Sequence, residues 1–233
     1  MAKELSPIEK MSRKRNPAKS KAKILQIGAA EFCSHGYSGA RIERIAKKCK
    51  CSMRMIYHYF GNKEGLYLAI LEAAYLRIRN EEKSLDLSTA EPIEGIRQLI
   101  EFTYHFFESN HDVLAIISEE NSLRGRFLRK HAHVKAMTVP LIESIRTLLE
   151  QGNRLGYFRP NVDPVQFYVS LVALSQIHIL HRHTLSIITS KDMSNTSWQE
   201  QRRLHVRDVL MDHLFAGAQN LARPNLLFEK QNA

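Results

Sequence analysis

Residues 36–67 read GYSGARIERIAKKCKCSMRMIYHYFGNKEGLY. Two short amphipathic stretches flank a few turn residues. In the first, at about 41–48, Ile42, Ile45 and Ala46 fall on one side of a helical wheel, with Arg44, Lys47 and Lys48 on the other. The turn KCKCS follows. Ser52 is placed to cap a second helix, because its side-chain oxygen can accept a backbone N–H that the first helical turn leaves open. On that helix Ile56 and Phe60, at i and i+4, form the inner face, whereas Met53, Arg54, Tyr57 and His58 fall opposite. Two short helices joined by a tight turn make a helix-turn-helix. The second helix of such a motif fits the major groove of DNA, where residues near its N-terminus reach base edges and its amide end favours phosphate.

The distribution of charge agrees with that reading. The chain of 233 residues carries a formal net charge of +10. Residues 1–63 hold 15 Lys/Arg against 4 Asp/Glu, whereas the remainder holds 19 against 20. The whole excess lies in the first quarter, which marks that quarter for a polyanion, either nucleic acid or an anionic membrane. The N-terminus has no apolar segment of the signal-peptide kind, so export is not expected. The longest apolar run, VSLVALSQIHIL at 169–180, is too short for a bilayer span and contains Ser, Gln and His. Three cysteines, an odd number, suit a reducing cytosol and a cytoplasmic location.

Around the motif the chain reads as helices throughout. Residues 1–15 show no helical period and form a basic arm. Asn16 and Pro17 open a helix with the stripe Leu25, Gly28, Ala29 and Phe32, which Gly36 is expected to end in a left-handed conformation. A long helix is expected at about 63–83. Another, at about 91–108, begins near Pro92 and carries Ile96, Ile100 and Phe107 on one stripe. Asn110 is placed to cap HDVLAII, and a segment at 129–151 is expected to kink or break at Pro140. Asp163 and Pro164 supply cap and first turn for a helix to about 186, and a last helix is expected at about 198–218. No segment has the period of a strand. The expected fold class is all-α.

The stretch quoted above resembles the DNA-binding signature of the tetracycline-repressor (TetR) family of bacterial one-component regulators. Gly36 with aromatic Tyr37, Ile45-Ala46, Ser52, Ile56-Tyr57, Phe60, Lys63-Glu64 and Leu66 occur with that family's spacing over about thirty residues. The resemblance implies an N-terminal helix-turn-helix domain at 16–63 and a larger helical effector-binding and dimerisation domain at 64–233. It assigns Tyr57 and Lys63 to DNA phosphates, and Met53, Arg54 and His58 to the groove. Arg41 and Ser52, at the starts of the two helices, complete the expected DNA-contacting set. Two positions depart from the pattern. Lys50 stands where the turn usually has glycine, which asks a side-chain-bearing residue to adopt a left-handed conformation. Arg41 stands where threonine is common, losing a hydroxyl cap but offering a charge to phosphate.

For the rest of the chain the resemblance is one of layout. GYFRPNVDP resembles the connection before the first of the family's two dimerisation helices, which implies a homodimer through the last two long helices. The stripe Phe167, Leu171, Leu174 and His178 suits either a partner-facing or a core-facing side. The family also implies a small-molecule effector. Its candidate pocket residues are Phe102, Tyr104, His105 and Phe106 on one helix, Glu120, Asn121 and Arg124 after the run VLAII, and Tyr168 and Gln176 on the later helix. For each of these, packing or solvation is an equal alternative. His178 and His181 at i, i+3 and the pair Cys49/Cys51 lack further ligands for a metal site, and neither metal nor cofactor is expected. With no phosphate loop, nucleophile elbow or H-E-x-x-H, catalysis is not expected. The reading is therefore a repressor that binds a palindromic double-stranded operator as a dimer and releases it on effector binding. The alternative is a ligand-binding or scaffolding protein of the same fold without sequence-specific DNA binding.

Overall fold

The computed structural model describes residues 17–215, so the basic arm expected at 1–15, the Asn16 cap and the chain beyond 215 lie outside the described residues. Every long element among them is an α-helix, and no strand occurs. In chain order these are α1 (Pro17–Gly39), α2 (Ile42–Cys49), α3 (Met53–Phe60), α4 (Lys63–Glu82), α5 (Pro92–Ser109), α6 (His111–Ser122), α7 (Ala132–Arg154), α8 (Pro164–Leu180), α9 (Arg182–Thr189) and α10 (Thr196–Phe215). Single 3-10 turns follow α4 and α6. The fold is all-α.

Local chemistry accounts for most boundaries. The Glu91 carboxylate accepts the Glu94 N–H at 3.1 Å and Pro92 opens α5. Asp163 does the same for α8, accepting from Gln166 at 2.8 Å. Asn195 accepts the Trp198 N–H, so α10 starts two residues before the expected 198. Gly36 does adopt a positive φ of 63°, but with ψ 177°, which is extended rather than left-handed helical. It therefore kinks α1, and one further turn runs on to Gly39. Asn110 is not the cap expected for α6. Its amide donates back to the Phe106 carbonyl at 2.7 Å and closes the end of α5 instead. Nor does Pro140 break α7, which runs on both sides of it.

The helix expected from 164 to about 186 is two, with His181 between them at φ −107° and ψ 21°. The buried stripe that holds α8 down ends at His178. Beyond it Ile187 and Ile188 are 79% and 78% exposed, so no core contact prolongs the helix. The stripe Phe167, Leu171, Leu174 and His178 proves to be core-facing: Phe167, Leu171 and His178 are buried within the chain and Leu174 packs against the core. A second apolar row lies on the other side of α8. Val165, Val169, Ile177 and Leu180 are 40–55% exposed there.

The described chain forms two compact units, residues 17–74 with 115–130, and residues 75–114 with 131–215. The first is thus larger than the division at 63/64 expected from the motif. Its core joins Ile24, Phe32, Ile45, Ile56, Leu66 and Tyr67 to Phe127 from the later segment. The Phe127 ring lies 4.7 Å from that of Tyr37 and 4.9 Å from that of Tyr67, and Glu119 accepts the Tyr37 N–H at 2.5 Å. These contacts tie 115–130 to the helix-turn-helix. The second unit has a core of α5, α7, α8 and α10, with Ile96, Leu99, Ile145, Leu148, Phe158, Val206 and Leu214 at its centre.

Candidate nucleic-acid interface

Helix α2 buries Ile42, Ile45, Ala46 and Cys49 and leaves Glu43, Lys47 and Lys48 exposed. Its end is a Schellman motif: the Cys51 N–H bonds to the Ala46 carbonyl at 3.0 Å and the Lys50 N–H to the Lys47 carbonyl at 3.2 Å. Lys50 occupies the left-handed position, with φ 55° and ψ 44°. The departure noted in the sequence is therefore a left-handed lysine.

Ser52 then caps α3, its hydroxyl accepting the Met55 N–H at 3.2 Å. Ile56 is fully buried and pins the helix, while Phe60 is only partly covered. Met53 and Tyr57 are 41% and 43% exposed, and Arg54 and His58 are exposed beside them. Those four side chains, at i, i+1, i+4 and i+5, present one outer face. Arg41 is exposed at the start of α2 and makes no side-chain cap there. Lys63 opens α4 with its ammonium 4.8 Å from the centre of the Tyr37 ring and 3.4 Å from the Ser38 carbonyl. Burial, then the neighbouring Arg41 and Arg44, lower its pKa.

Glu31, which the sequence did not mark, braces the motif from behind. Its side chain is fully buried. One carboxylate oxygen meets Arg44 Nε at 2.5 Å and the Arg41 N–H at 3.3 Å, and the other meets Lys48 Nζ at 3.2 Å. Burial alone would raise its pKa, but the bonds from Arg44, Lys48 and Arg41 outweigh it and lower the value. A glutamate on α1 thereby fixes the angle at which α2 is held.

The expected pocket residues are not gathered around one visible cluster. In the second unit Phe102 stacks at a tilt on Phe106, Tyr104 is buried, Tyr168 and Gln176 are half-buried, and His105 is exposed beside Glu108. In the first unit Glu120 is buried with one oxygen accepting the N–H groups of Phe127 and Leu128, while Asn121 and Arg124 are exposed. Glu120 thus closes the turn after α6.

The sequence also passed over a polar group inside the second unit. Tyr104 donates to the Gln199 carbonyl at 2.8 Å, and its oxygen lies 3.3 Å from His178 Nε2, with the two rings stacked. With the Tyr104 hydrogen given to Gln199, this contact is satisfied when His178 carries its proton on Nε2. Burial, then Arg202 and His111, push its pKa down to about 4. Among the described residues no group of three or more His, Cys, Asp or Glu side chains is placed to hold a metal ion, and no helix is long and apolar enough to cross a membrane.

Comparison with known proteins agrees with this architecture. The pattern defining bacterial regulatory proteins of the tetR family matches residues 24–70, and that of the tetracyclin repressor-like C-terminal domain matches residues 92–210. The HTH-type transcriptional repressor NicS of Pseudomonas putida is 30% identical over 172 residues, 74% of this chain and 81% of that protein. Among solved structures, AibR in complex with isovaleryl coenzyme A and operator DNA superposes with a TM-score of 0.62 at 23% identity, covering 84% of this chain and 98% of that one. The fatty acid degradation regulator FadR from Bacillus halodurans gives 0.62 at 16% identity over 90% and 97% of the two chains. With a helix-turn-helix of this geometry and both parts matched, the chain belongs to the TetR family of DNA-binding transcriptional regulators.

Proposed function

We propose that the protein is a ligand-responsive cytoplasmic repressor that binds a palindromic operator as a homodimer and releases it when a small-molecule effector binds. The observation that carries the DNA reading is the outer face of α3, where Met53, Arg54, Tyr57 and His58 stand exposed together on a helix pinned by Ile56. In this reading Arg54, His58 and Met53 meet base edges, and Tyr57, Arg41, Ser52 and Lys63 hold phosphates. The Lys63 contact with Tyr37 is the partly exposed cation–π kind, worth about 1 kcal/mol, and exchanges readily for a charge-assisted bond to phosphate.

One helix-turn-helix reads too few base pairs to be selective, and a two-fold protein on a two-fold site doubles the contact. The exposed row Val165, Val169, Ile177 and Leu180 on α8 supports pairing with a second copy, since a contiguous apolar row is seldom left in water. Phe102, Tyr104, Phe106, Tyr168 and Gln176 remain the favoured effector-lining residues. His105 and Arg124 face solvent and Glu120 is held by backbone, which leaves them and Asn121 less suited to that task. Effector binding would favour a dimer whose two α3 helices no longer match successive major grooves. An electrophoretic shift with the DNA flanking its own gene tests the reading. A retarded band that excess scrambled duplex does not compete away is expected, and equal competition by scrambled duplex contradicts it.

A further inference from the structure

Three residues of the second unit, on α8 and α10, each leave a buried polar atom without a partner. Ser175 and His178 are 0% and 2% exposed, yet the Ser175 hydroxyl and His178 Nδ1 have no hydrogen bond. Arg202 Nε is likewise buried without an acceptor, while its Nη2 bonds to the carbonyl of Leu174, the residue before Ser175. Buried polar atoms are nearly always satisfied, and Arg202, half-buried with its Nε closed off from water, is suited to an anion.

Among the described residues no carboxylate pairs with Arg202. The acids around Tyr104 are engaged elsewhere: Glu200 and Glu101 bind Arg203, and Glu108 meets His105. The His178 ring is stacked on Tyr104 at 5.3 Å and lies at a tilt against Trp198 at 5.8 Å, so it is held in place rather than free to turn. In the tautomer whose Nε2 donates to the Tyr104 oxygen, Nδ1 presents a bare lone pair. The group therefore offers a positive donor at Arg202, an acceptor at His178 Nδ1, and a hydroxyl at Ser175 that can do either.

We propose that this cluster binds the carboxylate end of a small organic acid that also bears a hydrogen-bond donor: the carboxylate accepts from Arg202 and Ser175, and a hydroxyl or N–H of the ligand donates to His178 Nδ1. The proposal rests on the ligand-responsive reading above and gives that effector a chemical class. It also explains why α10 keeps an unpaired arginine beside the core, at the expense of stability.

Two measurements decide it. Thermal shift and calorimetric titration use benzoate, 4-hydroxybenzoate and lactate, each beside its neutral amide. At least one carboxylate should raise the melting temperature more than its amide, with the hydroxy acids ahead of benzoate. Arg202→Met should weaken that carboxylate about tenfold or more, as loss of a charge-assisted bond does, and Ser175→Ala should weaken it less. Without ligand, Arg202→Met should melt no lower than wild type. Responses that do not separate acids from amides, or an Arg202→Met variant that binds as wild type or melts several degrees lower, overturn the assignment, as does a high-resolution structure showing a buried water only. A carboxylate that binds here without changing operator affinity upholds the site and contradicts the effector-release reading.

Discussion

Lys50 shows what a single residue carries in this motif. Its left-handed conformation closes the Schellman turn between α2 and α3, where a Cβ is unfavourable by about 1 kcal/mol or more. Lys50→Gly should therefore stabilise the protein by up to about 1 kcal/mol, after the larger chain entropy of glycine in the unfolded state is deducted. Chemical denaturation measures this, and a lower stability would mean that the lysine side chain does something the turn needs. The departure was visible in sequence because a pattern marks the position. Glu31 and His178 were not, since what defines them lies far along the chain: Arg44 and Lys48 for one, Tyr104 and Arg202 for the other. Two buried titrating groups give opposite slopes with pH. Glu82, held by burial beside Arg79 with its pKa raised to about 7, keeps its proton in the folded state when the unfolded chain has lost it. The stability it contributes is complete below 4.5 and lost as pH rises through about 7. His178, pushed down to about 4 from 6.5, refuses a proton that the unfolded chain accepts, so it destabilises as pH falls from 6.5 towards 4. Melting curves should show Glu82→Gln removing the first slope and His178→Gln the second; unchanged slopes would contradict these environments.

At the scale of the element, α3 was legible almost completely. Ser52, Ile56 and the opposed row of Met53, Arg54, Tyr57 and His58 follow from helical spacing and one cap. Ser52→Ala should cost about 1 kcal/mol of stability, the usual worth of an N-cap. Tyr57→Phe and Lys63→Ala should leave the fold intact by circular dichroism and lower operator affinity, with Lys63→Ala reducing the salt slope by about one unit. Binding unchanged in both would remove those residues from the interface. Helix α8 was legible only in part. It is apolar on two sides, so the sequence displayed a stripe without saying which side the chain itself would cover. The inner row went to the core, and the helix stopped at His181, where that row ran out, although no proline or glycine stands there. Where one stripe faces one core, periodicity decides; where two compete, packing does.

For the whole molecule, the charge excess in the first quarter and the exposed row on α8 support the two partners proposed above, a polyanion and a second copy. Val169→Glu places a charge in the middle of that row. For the homodimer proposed above, sedimentation should show a dimeric wild type and a monomeric variant at the same concentration, with operator affinity lost although each helix-turn-helix is untouched; a variant still dimeric would move the interface elsewhere. The composition of the two units was less legible than either element, because segment 115–130 joins the first through Phe127 and Glu119, contacts that no local pattern announces. The most direct test of the central claim is a nuclease footprint of the purified protein on the DNA flanking its own gene. Two protected half-sites related by a dyad and centred about one helical turn apart are expected, with protection abolished by Arg54→Ala. Uniform, sequence-blind protection that disappears with salt alike in wild type and variant would contradict it.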